Sequence, residues 1–208
     1  MMLFASSALT FAPPAAFAGD VVTDGRTNTT IRINGQVTDV RTATTHKGSG
    51  FNSFKKLNVS KNRTVNLHVP DGAERTINLV RDRRSDIAGT LNSIRDGAVG
   101  GGLVIANPNG VVVTSSGQIN AGSVNLSTPS RAFVDNFFNA DGTPRDDSVR
   151  ALLDGTAEQQ GDADIIVDGR VRASRAVRLQ AGRDVSVGGL IDVGEREAFV
   201  SQFANTGA

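Results

Sequence analysis

Three observations predict an all-β fold built as a parallel β-helix, a solenoid in which each strand pairs with its equivalent one coil along the chain. Short apolar–polar alternations recur, as in LVIANPNGVVVTSSGQINAGSVNLST at 103–128. A cassette of the form apolar or small, x, Gly, x, apolar appears repeatedly. The segments IIVDGRVRA from Ile165 and VSVGGLIDV from Val185 also match residue for residue, at an offset of 20 residues.

The sequence between those two segments indicates another strand and not a helix. SRAVRLQAGRD alternates at Val177, Leu179 and Ala181, without the 3.6-residue period of a helix. One such unit cannot bury its apolar face alone, so the units must stack. A β-sandwich or a β-barrel would also give short alternating strands, but the 20-residue match favours the solenoid.

The cassette predicts which residues form the coil corners and which point inward. The five copies are Ile33-x-Gly35-x-Val37, Ile87-x-Gly89-x-Leu91, Ser115-x-Gly117-x-Ile119, Val167-x-Gly169-x-Val171 and Val187-x-Gly189-x-Ile191. The predicted inward stacks contain Ile87, Leu91, Ile105, Val113, Ile119, Val167, Val171, Val187 and Ile191.

The first 18 residues are predicted to be the remnant of a signal peptide. Ala16-Phe17-Ala18 has the small–x–small pattern of a signal peptidase site, so we expect the mature chain to begin at Gly19. The positively charged n-region is missing, which indicates that the sequence starts inside a longer signal peptide. The apolar run is shorter than the roughly 20 residues that cross a bilayer, so we expect export without stable membrane insertion.

The rest of the chain is predicted to be one domain, 19–208. Phe51 and Phe54 are expected to cover the open core of the first coil, and Asp147 precedes a helix-like run. The predicted divisions are an N-terminal cap with the first strands at 19–60, coils at 61–128, an excursion with one short helix at 129–163, and further coils at 164–208.

Composition excludes several classes of protein. The 22 Lys and Arg against 21 Asp and Glu give a net charge of +1, which would not draw the chain onto nucleic acid or an acidic membrane. Cys is absent, which excludes disulfides, thiolate metal sites and a cysteine nucleophile. Every aromatic residue is Phe, so no Tyr or Trp can stack on sugars or bases.

Few residues offer catalytic or metal-binding chemistry. His46 and His68 have no partner at metal-ligand spacing and are typical surface residues. Aspartates could act as acids and bases or bind calcium, as in some β-helix lyases, but nearby arginines are expected to neutralise them. We therefore expect no enzyme, cofactor or metal. The aspartates are Asp82, Asp86, Asp146, Asp147, Asp162, Asp164 and Asp168, and the arginines are Arg81, Arg83, Arg84, Arg145, Arg150 and Arg170.

The run Asn107-Pro108-Asn109-Gly110 has the residues of a type I β-turn in the right order. The Asn107 side chain can bond the backbone two residues on, Pro108 presets φ, and Gly110 permits the exit. A β-branched residue at Asn109 or Gly110 is expected to strain the corner, and Asn107→Ala is predicted to be milder. On these grounds the run is a coil corner.

Three blocks in order resemble a known family: FNSFKKLNV at 51–59, INLVRDRRSDIAGTL at 77–91, and the segment 103–128. They are similar to the secretion domain of two-partner secretion (TPS) exoproteins, also called the haemagglutination-activity domain of filamentous haemagglutinin-like adhesins. Residues 164–193 resemble it more loosely. The resemblance implies a right-handed parallel β-helix at the N-terminus of a long exported protein.

The resemblance also implies a partner, an outer-membrane transporter of the Omp85 type with periplasmic modules and a transmembrane β-barrel. The domain would be a monomer that crosses the periplasm to the cell surface or medium and nucleates folding there. The family's Asn-Pro-Asn-Gly-Ile motif matters for folding and secretion; Asn107, Pro108, Asn109 and Gly110 match it, and Val111 replaces Ile. Its Asn-Pro-Asn-Leu motif has no match, and TVNLHVP around Asn66 is the nearest stretch.

Two other functions stay open on the sequence. A pectate-lyase-like β-helix enzyme would need carboxylates and basic residues along several coils and long loops around a groove, whereas one long excursion is predicted here. A direct adhesin module would bind carbohydrate or host protein itself, although in this family downstream repeats usually do so. Whether the full-length protein is an adhesin, a cytolysin or a contact-dependent toxin depends on sequence beyond residue 208.

Overall fold

The computed structural model describes residues 20–194 and the backbone of residues 199–200. Nearly all regular structure in this part of the chain is strand, and the all-β prediction is confirmed. The strands are β1 Val21–Thr23, β2 Thr29–Asn34, β3 Val37–Thr42, β4 Thr45–His46, β5 Ser49–Leu57, β6 Thr64–His68, β7 Arg75–Val80, β8 Ser85–Ile87, β9 Thr90–Arg95, β10 Ala98–Val99, β11 Gly102–Ala106, β12 Val111–Val113, β13 Gln118–Ser127, β14 Ile165–Val167, β15 Arg170–Gln180, β16 Val185–Val187, β17 Leu190–Val193 and β18 Phe199–Val200. The helices are α1 Arg131–Asp135 and α2 Asp146–Asp154.

Parallel strands stack on three faces. Face 1 contains β3, β6, β9, the first halves of β13 and β15, and β17. Face 2 contains β5, β7, β11, the second halves of β13 and β15, and β18. Face 3 contains β8, β12, β14 and β16. One pass of the chain through the faces, a coil, pairs with the coil before it. This pairing fits the predicted parallel β-helix, and the β-helix and its right-handed winding stay predictions.

The inward side chains of the three faces form one core. Ile87, Val113 and Val167 lie in register on face 3, and all three are fully buried. The same is true of Leu91, Ile119 and Val171 on face 1, and Ile105 joins them from face 2. Ile191 packs partly buried against this core. Val187 continues the face 3 stack but is 43% exposed, because β16 is the edge strand of that face in the described chain.

The cassette glycines lie where one coil passes very close to the previous one. A Cβ atom on Gly117 would be 2.0 Å from the carbonyl oxygen of Ile87, and one on Gly189 would be 2.0 Å from that of Gly169. Only glycine fits such an approach. In the third cassette the equivalent of Ile87 is Val113, not Ser115 as predicted, because this corner holds two additional residues.

The first cassette is not a coil corner, and that prediction is wrong. Ile33 and Val37 lie in an antiparallel hairpin of β2 and β3, in which Asn34 pairs with Val37. Gly35 lies in the tight turn with φ of 57°, and Ile33 is 59% exposed. The same N-terminal region contributes Val21 and Ile31 to the edge of the main core.

The segment between β13 and β14 leaves the stack and packs on the outside of face 2. It contains two helices where the sequence predicts one. Ser130 Oγ caps α1 by accepting from the Phe133 N–H (3.2 Å), and Gly155, with φ of 75°, is the C-cap residue that follows α2. Both helices pack on a second core, formed by Phe51, Ile77, Leu79, Val104, Ala106, Val134, Phe137, Val149 and Leu152.

Phe51 therefore does not cover the first coil, and that prediction is wrong for this residue. Its ring packs outward against Phe137 and Phe138, at centroid distances of 6.1 and 6.5 Å. Phe54, three residues on, points into the main core. The strand β5 is consequently buried on both sides, which explains its nearly continuous run of buried residues.

Two predictions about the N-terminus lie outside the described residues: the signal-peptide remnant at 1–18 and the start of the mature chain at Gly19. Among the residues that the structure describes, no helix has the length and hydropathy needed to cross a membrane.

Candidate functional site

The turn Asn107–Gly110 connects β11 on face 2 to β12 on face 3. In the preceding coil the same corner is formed by residues 81–84, between β7 and β8. In the following coil the excursion with α1 and α2 starts from this corner, between β13 and β14. The turn thus lies at the base of the largest irregular feature in the described chain.

The Asn107 side chain is fully buried and bonds to both sides of the corner. Its Oδ1 accepts from the backbone N–H of Asn109 (2.9 Å) and from Asn109 Nδ2 (3.1 Å). Its Nδ2 donates to the carbonyl of Arg83 (2.9 Å) and to Ser85 Oγ (3.0 Å) in the previous coil. The predicted bond to the backbone two residues on is confirmed, but Asn107→Ala would remove four contacts and is not the mild change that the sequence suggests.

Gly110 is required by both backbone conformation and space. Its N–H donates to the Asn107 carbonyl (3.1 Å), its φ is 96°, and a Cβ atom would lie 2.8 Å from the carbonyl oxygen of Asp164. Asn109 is not among the described residues with positive φ, so backbone strain is not expected there and that prediction is wrong. Val111 is fully buried and donates its N–H to Asp164 (3.0 Å).

Asn109 is the partly exposed residue of the turn and links it to the excursion. Its Nδ2 donates to the carbonyl of Arg81 (2.9 Å), and its Oδ1 accepts from Nη2 of Arg131 (2.7 Å). Arg131 is the first residue of α1, and its Nη1 donates to the same Arg81 carbonyl (2.9 Å). The position of α1 is therefore coupled to the geometry of the turn.

Arg81 extends this network to α1 and to the N-terminal strands. Its Nε and Nη2 donate to Asp135 Oδ1 (2.9 and 2.8 Å), and its Nη1 lies 3.7 Å from Asp24 Oδ2. Burial opposes the charged guanidinium, but the bond to Asp135 and the neighbouring carboxylates raise the pKa of Arg81 overall. Arg26 adds a second link, since it bonds Asp24 (2.9 Å) and the Val134 carbonyl (3.0 Å).

Asn109 lies between two open polar depressions. One, of about 320 Å³, is shared with Pro108 and Arg131, and the other, of about 580 Å³, with Lys56 and Arg83. Asn107, Pro108, Gly110 and Val111 are buried. A protein that contacted this corner would therefore meet Asn109 and the charged side chains around it.

The TPS secretion domain profile matches residues 19–206, nearly the whole chain. The chain belongs to the TPS secretion domain family. No curated protein matches the sequence. Membership makes this chain a secretion-targeting module of an exoprotein that passes through the periplasm and interacts with a transporter partner, and the family is not an enzyme family.

In this TPS domain Asn66 lies away from the turn, in a ladder of side chains on the outside of face 1. Asn120 Nδ2 donates to Asn92 Oδ1 (2.8 Å), Asn92 to Asn66 (3.0 Å), and Asn66 to Asp39 (3.1 Å). Bonds from His68 and Asn66 lower the pKa of Asp39. The asparagines are 26 and 28 residues apart, which is the number of residues from one coil to the next at these positions. This spacing could have been recognised in the sequence.

Each of the two histidines of the TPS domain pairs with a carboxylate, and neither pair was predicted from the sequence. His68 Nε2 lies 2.7 Å from Asp39, and His46 Nε2 lies 2.6 Å from Asp146 at the start of α2. Bonds from His46 and Lys47 lower the pKa of Asp146 to about 2. Within the described chain, no three His, Cys, Asp or Glu residues come together as a metal site.

The acidic residues of the TPS domain are largely paired with basic ones at the surface. Arg84 bonds Asp86 and Arg145 bonds Asp147, which agrees with the expected neutralisation. Asp164 pairs with Arg183 from the next coil, which is not among the arginines predicted to neutralise the aspartates. Arg131, Arg81 and Asp135 were missed as neighbours of the turn because they are 22 to 28 residues from Asn109 along the chain.

Proposed function

We propose that an outer-membrane transporter of the Omp85 type recognises this domain in the periplasm, and that the domain then nucleates folding of the following chain at the cell surface. A signal peptide ending at Ala18 would deliver it to the periplasm, and residues 19–60 would form the N-terminal cap together with the first strands. The supporting observation is the corner at 107–110, whose side chains bond the preceding coil and α1 and whose backbone is closely packed by the following coil.

Growth from an existing edge supports the nucleation role. In a stack of coils the contacts are local, so each new coil can fold on the last one without a large entropy cost. In the described chain, β16 is the edge strand of face 3, and Val187, which continues the inward stack of that face, is 43% exposed there. A coil added at that edge would bury Val187, and folding outside the cell would bias passage without ATP.

The corner can support secretion through stability or through direct contact with the transporter. The burial of the corner supports the stability route, because a partner cannot reach Asn107 and Val111, which are fully buried, and Gly110 is packed against Asp164. Asn109 and its exposed neighbours are the groups within reach of a partner. Under the stability route, substitutions of buried corner residues lower both the melting temperature and secretion. Under the contact route, substitutions of exposed residues near Asn109 lower transporter binding without changing the melting temperature.

A pull-down with the purified periplasmic modules of the cognate transporter tests the proposal. The 208-residue chain should be retained, and Arg83→Gln and Asp162→Asn, on exposed residues of the two depressions beside Asn109, report on direct contact. Arg170→Gln, on an exposed residue of β15 outside both depressions, is the control. Failure of the unmodified chain to bind would contradict transporter recognition. Loss of binding by a depression variant that melts normally would favour the contact route.

A further inference from the structure

A separate depression lies on the outside of face 2, where α2 ends. It has a volume of about 260 Å³ and crosses β7, β11, β13 and β15. The groups that matter for its chemistry are Arg75, Gly102, Ser123, Asn125, Leu153 and Arg178. It shares no lining residue with the depressions beside Asn109.

The strand register explains why this space is open. Arg75, Gly102, Ser123 and Ala176 lie side by side across four strands, so small residues follow the arginine. A Cβ atom on Gly102 would already lie 2.7 Å from Arg75 Cβ. The helix α2 ends at Asp154, and Leu153 forms one wall of the depression.

The lining is cationic, with two arginines and no acidic residue. Arg75 donates from Nη2 to Glu74 (2.7 Å), whose side chain is 65% exposed, and Arg178 donates from Nη1 to the Leu153 carbonyl (2.9 Å). A guanidinium carries five N–H donors, so both side chains retain capacity for a second, anionic partner.

Asn125 adds a requirement for a hydrogen-bond donor. Its Oδ1 is buried and accepts no hydrogen bond within the described chain, while its Nδ2 is 3.5 Å from the Leu152 carbonyl. An unsatisfied buried acceptor is unfavourable, so a turn of the Asn125 amide that brought Oδ1 to a ligand hydroxyl would gain affinity. Val104 and Leu153 supply an apolar surface beside these polar groups.

We propose that this depression binds one acidic sugar residue of a polysaccharide. The carboxylate would lie against Arg75 and Arg178, a hydroxyl would donate to Asn125 Oδ1 once that amide turns toward the depression, and the C–H face of the ring would pack on Leu153. The volume of about 260 Å³ is below the ~300 Å³ at which drug-sized pockets begin, which suits a single ring. This binding goes beyond secretion targeting and does not depend on the transporter.

Isothermal titration calorimetry of the 208-residue chain with three probes tests the proposal: a glucuronic acid trisaccharide, the neutral glucose trisaccharide of the same length, and inorganic sulfate. The variants are Arg75→Gln and Arg178→Lys; the second keeps the charge but loses the planar fork. Arg170→Gln is the control, since it makes the same charge change outside the depression. Melting temperatures verify that each variant is folded.

The uronate should bind the unmodified chain and the Arg170→Gln control equally, and at least tenfold more weakly to both depression variants. The neutral trisaccharide should not bind measurably. Equal uronate affinity in Arg75→Gln and the unmodified chain, or no uronate binding at all, would overturn the proposal. Sulfate binding as tight as uronate binding would overturn the assignment to a sugar acid.

Discussion

At the residue scale, the buried amide of Asn107 holds two consecutive coils together. Asn107→Ala would leave the Asn109 N–H, the Arg83 carbonyl and Ser85 Oγ without these bonds in a buried corner. An unsatisfied buried group costs about 1–3 kcal/mol, and two of these three bonds are only partly buried, so that water can replace them in part. We therefore expect the free energy of unfolding to fall by about 2–4 kcal/mol.

Urea denaturation measures this change. Asn34→Ala, at the exposed tip of the β2–β3 hairpin, is the control and should stay within about 0.5 kcal/mol of the unmodified chain. Equal losses in the two variants would show that the Asn107 bonds contribute nothing net.

The corner glycines provide a second prediction at this scale. Gly117→Ala would place Cβ 2.0 Å from the Ile87 carbonyl oxygen, so the two coils would have to separate. Overpacking of this kind costs about 1–3 kcal/mol or more. Gly100→Ala is the matched control, because its Cβ would meet no atom closer than 3.9 Å. Gly117→Ala should melt at a clearly lower temperature than Gly100→Ala. Similar melting temperatures of the two variants would contradict the clash.

Local chemistry made part of this corner predictable from the sequence. The bond between Asn107 and the backbone of Asn109, and the need for glycine at 110, follow from turn geometry alone. The contact of Asn109 with Arg131 does not, because the excursion brings it back to the turn from 22 residues away. The cassette glycines were visible as a pattern, but the carbonyl oxygens that exclude a side chain belong to other coils.

At the element scale, Asp146 ties α2 to the β4–β5 hairpin through His46 and Lys47. Its folded pKa of about 2 lies below the ordinary value of 3.8, so ionisation stabilises the fold at higher pH. That contribution is complete above about pH 4 and is lost as the pH falls toward 2. We therefore expect Asp146→Asn to flatten the fall in urea midpoint across this interval.

The control for this titration is Asp71→Asn, which changes an exposed acid in the loop between β6 and β7. In this variant the urea midpoint should fall with decreasing pH nearly as steeply as in the unmodified chain. An unchanged slope in Asp146→Asn would show that the link to His46 and Lys47 does not form in solution.

The two helices depend on the second core, since segments of five and nine residues are too short to be stable alone. Phe137 is fully buried there, with the ring centres of Phe133 and Phe138 at 5.8 and 5.5 Å. Phe137→Ala should cost about 3–5 kcal/mol in that core. Hydrogen exchange should then quicken in α1 and α2 while β6 and β9 stay protected.

Phe133→Ala removes a ring that is only partly buried against the same core, and it should have a smaller effect. Equal loss of protection in the helices and in β6 would mean that the two cores unfold as one unit.

At the scale of the whole molecule, the sequence predicts one solenoid core, and the structure has two cores separated by face 2. The inward stacks were predictable because alternation with a period of two repeats in every coil. The second core was not, since runs such as Leu103 to Ala106 are buried on both sides and alternation is lost. The register between neighbouring strands follows from the pairing of each coil with the previous one. The position of the excursion could not be predicted in this way, because it depends on long-range contacts such as that of Arg26 with the Val134 carbonyl.

The last prediction concerns secretion of the whole chain. If the corner at 107–110 acts through stability, secretion should fall in step with melting temperature across Asn107→Ala, Gly117→Ala and Gly110→Val, although Gly117 lies outside the turn. Gly110→Val should be among the most impaired, because it meets both a φ of 96° and the Asp164 backbone. Secreted protein per cell, plotted against melting temperature, tests this, with Gly100→Ala as the control. Normal secretion of an unstable Gly110→Val chain would rule out both the stability route and the contact route, since no version of the corner's role survives loss of its geometry.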